Sequence, residues 1–475
     1  MFGNVMAVKK QKNRHVPVFL GVMVLLGSVI VSTPHQAHAQ SQPLIDALTT
    51  AYLNNPTLLS RRARLRSTDE GVPQALSNWR PDVSMSLNQG YSDVENTNGT
   101  GTSRNQWRNS AGYSFDVTQS LFRGGRTLAA TSKAENAVRA ERGRLLGIEQ
   151  TIFLDTISAY MDVFRDEAVL KLNISNEQVL SRQLEATRDR FQVGEITRTD
   201  VHQAEARRAK AKADRIQAEG DLEASRAAFL SVVGESAPGG LSAPSQPAGL
   251  PETKEEAIKI ASIKNPIVIA AEFDRLSALD NVDEVWGELL PDLGLTAGYS
   301  RQFEAAAEQG RIDTAKIGLN LAIPIYQQGA VYSRLREARQ TVAERAFVVD
   351  EQRRVAVETA TRAWEALQTA AARVASFDTQ IEANVIALEG VQREASVGSR
   401  TILDVLDAEQ ELLNARVSHV RGRRDELVAM YEIKSALGQL TARDLALPVT
   451  LYDPREHYRE VRDQWFGGRA SGDTQ

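Results

Sequence analysis

The sequence contains two copies of one pattern, and this internal repeat restricts the possible folds more than any other feature. Short motifs recur in the same order at a nearly constant spacing of about 204 to 210 residues. Both copies must therefore hold elements of the same type and length. The recurring pairs are Asn55-Pro56 with Asn265-Pro266, Pro81-Asp82 with Pro291-Asp292, Val193-Gly194 with Val397-Gly398, and Asp200-Val201 with Asp404-Val405.

The repeat divides the chain into segments. We predict a first repeat over residues 40–235, a linker rich in proline and glycine over 236–252, and a second repeat over 253–445. Residues 446–475 have no counterpart and are predicted to form a separate tail. Each repeat is predicted to run in one order: a helix, two strands, a very long helix, a tight turn and a final helix.

The helical segments are indicated by capping residues and by the absence of proline. Asn55 suits an N-cap and Pro56 the first helical position, so a helix is predicted from there to about residue 78. Residues 127–193 and 331–397 contain no proline, and a helix of 67 residues would be about 100 Å long.

Each long segment is followed by a turn and a shorter helix. The turns contain Gly194 and Gly398, and the final helices are predicted over 200–233 and 404–437. Apolar residues spaced by seven along the first long segment indicate pairing of the coiled-coil type. The result would be a rod of long antiparallel helices.

Between the first helix and the long helix of each repeat, apolar and polar residues alternate. This period of two indicates strands with one apolar and one polar face. A polar, glycine-rich loop is predicted at residues 95–105, and aromatic residues near the strand ends resemble the girdles of outer-membrane strands. The apolar members are Val83, Met85, Leu87 and Tyr91; Tyr113, Phe115, Val117 and Leu121; Leu293, Leu295, Ala297 and Tyr299; and Ile317, Leu319, Leu321, Ile323 and Ile325.

Four strands are too few to enclose a pore. In lipid, the edges of an open sheet would leave backbone N–H and C=O groups without partners, at several kcal/mol each. Such a sheet must close with copies of itself, and the smallest membrane barrels have about eight strands. These arguments allow a dimer, a trimer or a tetramer and do not choose among them.

The composition excludes several classes of site. The chain has no cysteine, which excludes disulfides and thiolate metal sites, and no catalytic or metal-binding group of residues is evident. We therefore predict neither an enzyme nor a cofactor. The net charge of −5 becomes more negative if residues 1–39 are removed, because these carry four basic residues and no acidic ones. An acidic chain is a poor partner for nucleic acid.

The N-terminus has the three parts of a secretory signal peptide. Basic residues precede an apolar run at 16–31, and Ala37-His38-Ala39 offers a cleavage site, so cleavage is predicted after Ala39. An N-terminal membrane anchor is the alternative. No later apolar run is long enough for a spanning helix, so any entry into a membrane must be made by the strands.

Taken together, residues 42–447 resemble the TolC-type outer-membrane efflux and type I secretion family. The likeness includes the Asn-Pro and Pro-Asp pairs, Gln119-Ser120-Leu121-Phe122, the stretch 401–408 and the closing stretch 433–438. The resemblance implies a mainly α fold in which three subunits share one twelve-stranded transmembrane β-barrel above a periplasmic α-barrel. It also implies an outer-membrane location, and partners in the form of a periplasmic adaptor and an inner-membrane transporter, ABC or proton-driven.

The resemblance also implies roles for residues near the two turns. Asp404 and Asp407 match the paired carboxylates of the tunnel entrance, where a trimer would gather six carboxylates that favour cations. Arg400 matches a gate arginine, with Thr199 and Asp200 as the expected partners across helices. Contacts with the adaptor are expected at the helix tips formed by Val193, Gly194, Glu195, Val397, Gly398 and Ser399.

Each role has a plainer alternative. Thr401 with Asp404 also fits a helix cap, Arg400 fits a solvated surface charge, and the glycine turns fit simple helix ends. Ala395 stands where well-known members of the family carry a tyrosine that helps to latch the closed state, so a looser closed mouth is expected.

The function predicted is a passive exit duct for small toxic molecules, secreted proteins or both. Type I protein secretion alone is an open alternative, and the tail at 446–475, expected to pack around the middle of the rod, resembles members that serve it. A periplasmic coiled-coil structural or adaptor protein would explain the helices but not the four strands. The sequence names neither the cargo nor the transporter.

Overall fold

Two similar series of elements follow one another in the computed structural model, which describes residues 43–97, 101, 103–305 and 309–468. The predicted signal peptide, its cleavage site after Ala39 and the last residues of the tail lie outside the described residues. The first series is α1 (Pro43–Asn54), α2 (Pro56–Asp69), α3 (Gly71–Ser77), β1 (Asp82–Thr97), β2 (Ser103–Arg123), α4 (Arg126–Gln192) and α5 (Arg198–Val233); the second is α6 (Lys254–Lys264), α7 (Pro266–Trp286), β3 (Asp292–Phe303), β4 (Arg311–Ala322), α8 (Ala330–Ser396) and α9 (Ile402–Ala436), after which α10 (Glu456–Val461) follows.

This order confirms the predicted fold class of tandem helical repeats with four strands, and it adds a short helix at the start of each repeat. The helices α1 and α6 have 12 and 11 residues and were not predicted, because they precede the first recurring motif. Helices of this length are marginal alone and depend on packing. In α1 the apolar residues Leu44, Leu48 and Tyr52 supply that packing, since they are buried in the main core.

The helix predicted from Pro56 to residue 78 is wrong in one respect, because it breaks into α2 and α3 at Glu70. Pro73 explains the break, since it has no N–H to donate to the carbonyl of Asp69. The predicted cap at Asn55 is confirmed: its side-chain oxygen accepts a hydrogen bond from the N–H of Thr57 at 3.0 Å.

The four strands form one antiparallel sheet in the order β1-β2-β3-β4. The strands β1 and β2 extend into the segment predicted as a loop at 95–105, whereas Ile323 and Ile325, predicted in the fourth strand, lie just beyond the end of β4. The register places the predicted apolar residues of the four strands on one face, with the exception of Leu121. Leu121 lies at a bulge in β2, where Phe122 and not Leu121 pairs with Leu293. One row across the sheet is Val83, Val117, Ala297 and Ile317, whose two outer members are 69% and 78% exposed.

The neighbouring row shows that the opposite face is polar. It consists of Ser84, Asp116, Gly298 and Lys316, with the Lys316 ammonium 3.3 Å from the Asp116 carboxylate. Gly298 lies between these two side chains, and a methyl group there would be 2.7 Å from both the carboxylate oxygen and the lysine Cε. The sheet therefore presents an exposed apolar face and a polar face that carries an ion pair.

The long helices lie beside the shorter ones and bury the core. The helix α4 packs against α5, α7 and α9, while α8 packs against α9, α7 and α6. The largest fully buried side chains of α4 are Phe153, Ile157, Tyr160 and Met161, in the middle third of the helix. Among the described residues, no helix combines the length and apolarity needed to cross a bilayer, and no group of side chains is suited to hold a metal ion.

The tail packs on the first repeat. The N–H of Tyr452 donates to the hydroxyl of Tyr52 at 3.0 Å. The Arg62 guanidinium lies 4.3 Å from the centre of the Tyr52 ring and 5.1 Å from that of the Tyr452 ring. Further on, the imidazole of His457 in α10 is 3.3 Å from the carboxylate of Asp69, and both side chains are buried. Residues after the second repeat are thus held by aromatic and charged contacts with α1 and α2.

The two repeats come into close contact at Gly124 and Gly287, where β2 leads into α4 and α7 leads into β3. A methyl group on Gly124 would collide with the carbonyl oxygen of Gly287 and lie 2.8 Å from Cβ of Leu290. The next residue, Gly125, has a similar positive φ but open space around it.

We therefore expect Gly124→Ala to destabilise the protein more than Gly125→Ala. Both backbones have a positive φ, which costs an alanine about 1 to 2 kcal/mol. Only at Gly124 must the backbone also shift, which adds about 1 to 3 kcal/mol. Thermal unfolding of both variants in detergent measures the difference, and equal melting temperatures would contradict the role assigned to this contact.

Candidate functional site

The predicted site residues lie at two helix tips built in the same way. At the first tip, Gly194 has φ 80° and ends α4, and its N–H donates to the carbonyl of Phe191 at 3.0 Å. At the second, Gly398 has φ 81° and donates to Ala395 at 3.2 Å. Glycine is required at these positions because the chain leaves each helix in the left-handed region.

Both tips present exposed groups. The residues predicted to meet an adaptor are all exposed: Val193, Gly194, Glu195, Val397, Gly398 and Ser399. Val193 is 73% exposed and Val397 is 80% exposed, so both apolar side chains are accessible to another protein.

The helices that follow the turns start with reciprocal capping boxes. The N–H of Thr401 donates to the carboxylate of Asp404 at 2.9 Å, and the threonine hydroxyl donates to it at 2.8 Å. Thr197 and Asp200 form the same arrangement at the other tip. The hydrogen bond from the Thr401 N–H, followed by that from its hydroxyl, holds the pKa of Asp404 below the usual range of a carboxyl group.

Asp407 has a partner that the sequence pattern did not indicate. The guanidinium of Arg207 in α5 forms an ion pair with Asp407 in α9 and so joins the first repeat to the second near the tips. The two carboxylates predicted at the entrance are therefore in different environments. The charge of Asp407 is offset by the guanidinium of Arg207, whereas Asp404 accepts hydrogen bonds from Thr401 in its own helix cap.

Arg400 is also paired within the chain, but its partner differs from the predicted ones. Its Nε donates to the carboxylate of Glu394 at 2.9 Å, across the turn. The expected partner Asp200 instead accepts hydrogen bonds from Thr197, and Thr199 lies exposed beside it at the start of α5. A pairing of Arg400 with Thr199 or Asp200 thus requires a rearrangement or a neighbouring subunit.

An arginine and a glutamate flank each glycine turn in the sequence, but only the structure shows that they pair. At the other tip Arg190 donates to Glu195 at 3.0 Å, so each turn is closed by an Arg–Glu pair with the order of the two residues reversed. Ala395, the position of the missing tyrosine, packs at the edge of a small core formed by Leu388, Val405 and Leu412.

Comparison with known proteins identifies the family. The family model described as outer membrane efflux protein matches residues 47–235 and 257–439, which is more than half of the chain. This chain belongs to the outer membrane efflux protein family. The predicted resemblance to TolC-type channels is thereby confirmed.

Curated relatives support the same assignment. The outer membrane efflux protein BepC of Brucella suis biovar 1 is 36% identical, over 91% of this chain and 93% of its own. The outer membrane protein TolC of Escherichia coli K12 is 26% identical, over 86% of this chain and 84% of its own. The crystal structure of CusC, a protein that forms a transmembrane channel, shares the fold with a TM-score of 0.75 at 15% identity, covering 83% of this chain and 92% of CusC.

These findings confirm an outer membrane efflux protein, and with it the predicted export role and outer-membrane location. The family is one of channels and not of enzymes. The individual roles of Asp404, Asp407, Arg400 and the helix tips remain predictions.

Proposed function

We propose that three copies of this efflux protein form one exit duct, which passes small toxic molecules, secreted proteins or both from a periplasmic adaptor and an inner-membrane transporter to the outside. The observation that carries this proposal is the sheet. Its apolar face is exposed and its opposite face is polar, and among the described residues no further strand pairs with the outer edges of β1 and β4.

The free edges support assembly around a lumen. An edge strand in lipid leaves N–H and C=O groups unpaired, and pairing β4 of one copy with β1 of the next removes that cost. Three copies give twelve strands, with the apolar face toward lipid and the row containing Asp116 and Lys316 toward water. The long helices α4 and α8 would then line up beneath the barrel as a periplasmic tunnel.

Delivery to the outer membrane requires export across the inner one. The basic and apolar segments of residues 1–39 support a signal peptide that is cleaved after Ala39, so that the mature chain starts at Gln40. At the far end of the duct, the exposed tips around Gly194 and Gly398 are the proposed contacts with the adaptor. The transporter, ABC or proton-driven, supplies the energy.

A test of the duct is conductance. Protein purified from the outer-membrane fraction should start at Gln40, run as a trimer and form ion-conducting pores in a planar bilayer. A stable monomer without conductance, or release of the protein by osmotic shock, would exclude the duct and favour a periplasmic structural protein.

The entrance role of Asp404 and Asp407 predicts an effect on cation block. Asp404→Ala combined with Asp407→Ala should raise the concentration of a multivalent cation needed for half-block about tenfold or more, since focused negative charge is lost. Arg207→Ala, which frees Asp407 from its ion pair, should lower that concentration. Unchanged block in both variants would remove the entrance assignment.

The same role predicts a pH dependence. Because the pKa of Asp404 is lowered, its carboxylate stays charged as the pH falls through the range where an ordinary aspartate is protonated. In Asp407→Ala, where Asp404 acts alone, block should persist through this range and fade only below it. If block instead disappears over the pH range in which an ordinary aspartate is protonated, the assignment is contradicted.

The gate role of Arg400 predicts a change of conductance. Arg400→Ser breaks the pair with Glu394 and removes the expected partner of a neighbouring Asp200, so single-channel conductance should rise. Arg190→Ser is the matched control, because it breaks the equivalent pair with Glu195 at the other tip. An equal rise in both variants would indicate loosened turns and not a gate.

A further inference from the structure

The last described part of the tail, residues 462–468, returns to the foot of the sheet. The guanidinium of Arg80 donates to the carbonyl oxygen of Gln464 at 2.6 Å and lies 5.0 Å from the centre of the Trp465 ring. Arg80 stands two residues before Asp82, the first residue of β1. Trp465 is therefore beside the end of the sheet where the strands join the helices.

The side chains at this point are apolar and face solvent. Trp465 is 58% exposed and Phe466 is 88% exposed. Trp79, also exposed, immediately precedes Arg80, and its carbonyl accepts a hydrogen bond from Gln119 of β2 at 2.8 Å. The tail thus brings the rings of Trp465 and Phe466 to the end of the sheet at which the backbone of Trp79 is hydrogen-bonded to β2.

These rings continue a band of exposed apolar residues around the foot of the sheet. Phe122 lies at the end of β2, Trp286 ends α7 before β3, and Tyr326 follows β4, all of them exposed. A second group lies toward the other end of the strands, where Tyr91 and Trp107 are exposed and lie two rows apart on the same face of the β1–β2 pair.

The spacing of the two groups suits a bilayer. The strand from Val83 to Asp93, the partner of Trp107, is about 34 Å long at 3.4 Å per residue. At the tilt of about 40° typical of outer-membrane strands it rises about 26 Å, close to their apolar band of about 25 Å. Tryptophan and tyrosine favour the two boundaries of that band, because their rings are apolar and their N–H or O–H groups remain hydrated. The foot of the sheet is then one boundary.

The helix that precedes residues 462–468 is held in place by contacts with the first repeat. The helix α10, which precedes residue 462, is fastened by the buried contact of His457 with Asp69, and the Arg142 guanidinium lies 5.3 Å from the ring of Tyr458. Val461, its last residue, is buried, and its carbonyl accepts a hydrogen bond from the N–H of Gln464 at 3.1 Å. Trp465 therefore follows directly from an anchored element.

We propose that residues 462–468 are a membrane-interface anchor, in which Trp465 and Phe466 insert into the phospholipid leaflet on the periplasmic side of the outer membrane. Arg80 stacks on Trp465 and is placed to pair with a lipid phosphate through its remaining N–H groups. Through this anchor the tail binds the lipid surface beside the barrel. It requires the outer-membrane location, and it is independent of the cargo, the adaptor and the gate.

Tryptophan fluorescence in vesicles tests the anchor. The chain has five tryptophans, at positions 79, 107, 286, 364 and 465, and replacing four of them with phenylalanine leaves a single reporter. Trimers that keep only Trp465 are reconstituted in phosphatidylcholine vesicles with or without bromine at acyl carbons 6 and 7. We expect the Trp465 emission to lie at short wavelength and to lose most of its intensity in the brominated vesicles.

Trimers that keep only Trp364 are the matched control. Trp364 lies 34 residues into α8, about 50 Å along the helix from the sheet, so brominated lipid should leave its emission unchanged. Arg80→Ala in the Trp465 trimer should reduce the quenching by bromine, whereas Arg400→Ala should not. If the reporter trimers fail to assemble, wild type and Trp465→Phe are compared, and the quenched fraction should fall in the variant.

Two results would overturn the proposal. Emission of Trp465 that is insensitive to bromine and fully quenched by acrylamide would place the residue in water. Emission insensitive to both quenchers would place it under protein, such as a second copy of the chain. Conductance of the same trimers is measured in parallel, so a failed anchor is distinguished from a failed duct.

Discussion

The structure depends on one constraint, which is that backbone hydrogen-bonding groups cannot remain unpaired in lipid. In the described part of one chain, the sheet has four strands, an exposed apolar face and two free edges. That combination is unfavourable in water because of the face, and unfavourable in a bilayer because of the edges. Assembly of several copies into a closed barrel removes both costs at once, and a polar inner face then encloses water.

The helices are stabilised differently, because a long rod has no large globular core in which to bury its apolar side chains. The long helices α4 and α8 are each flanked by shorter helices, and small residues such as Ala356, Ala360 and Ala363 allow close approach along α8. The larger side chains gather near the middle of α4, where the tail also packs. Stability is therefore spread along the rod, with one denser region at its centre.

At the helix tips, the charged side chains already form hydrogen bonds and ion pairs within one chain. Asp404 is part of a helix cap, Asp407 is paired with Arg207, and Arg400 is paired with Glu394. Exposed ion pairs of this kind contribute little to stability. Such pairs can therefore be exchanged for contacts with a neighbouring subunit or an adaptor at small cost, which is what the proposed opening of the entrance on docking requires.

The sequence by itself determined the elements that depend on local chemistry. The repeat, the strands with their period of two, the long proline-free helices, the cap at Asn55 and the glycine turns are all readable, because each follows from backbone geometry or from neighbouring residues. The tertiary structure decided what depends on residues distant in sequence. The pairing of Arg207 with Asp407 joins positions 200 residues apart, and the return of Trp465 to Arg80 spans most of the chain. No local pattern encodes such contacts, because they exist only after the two repeats and the tail have packed together.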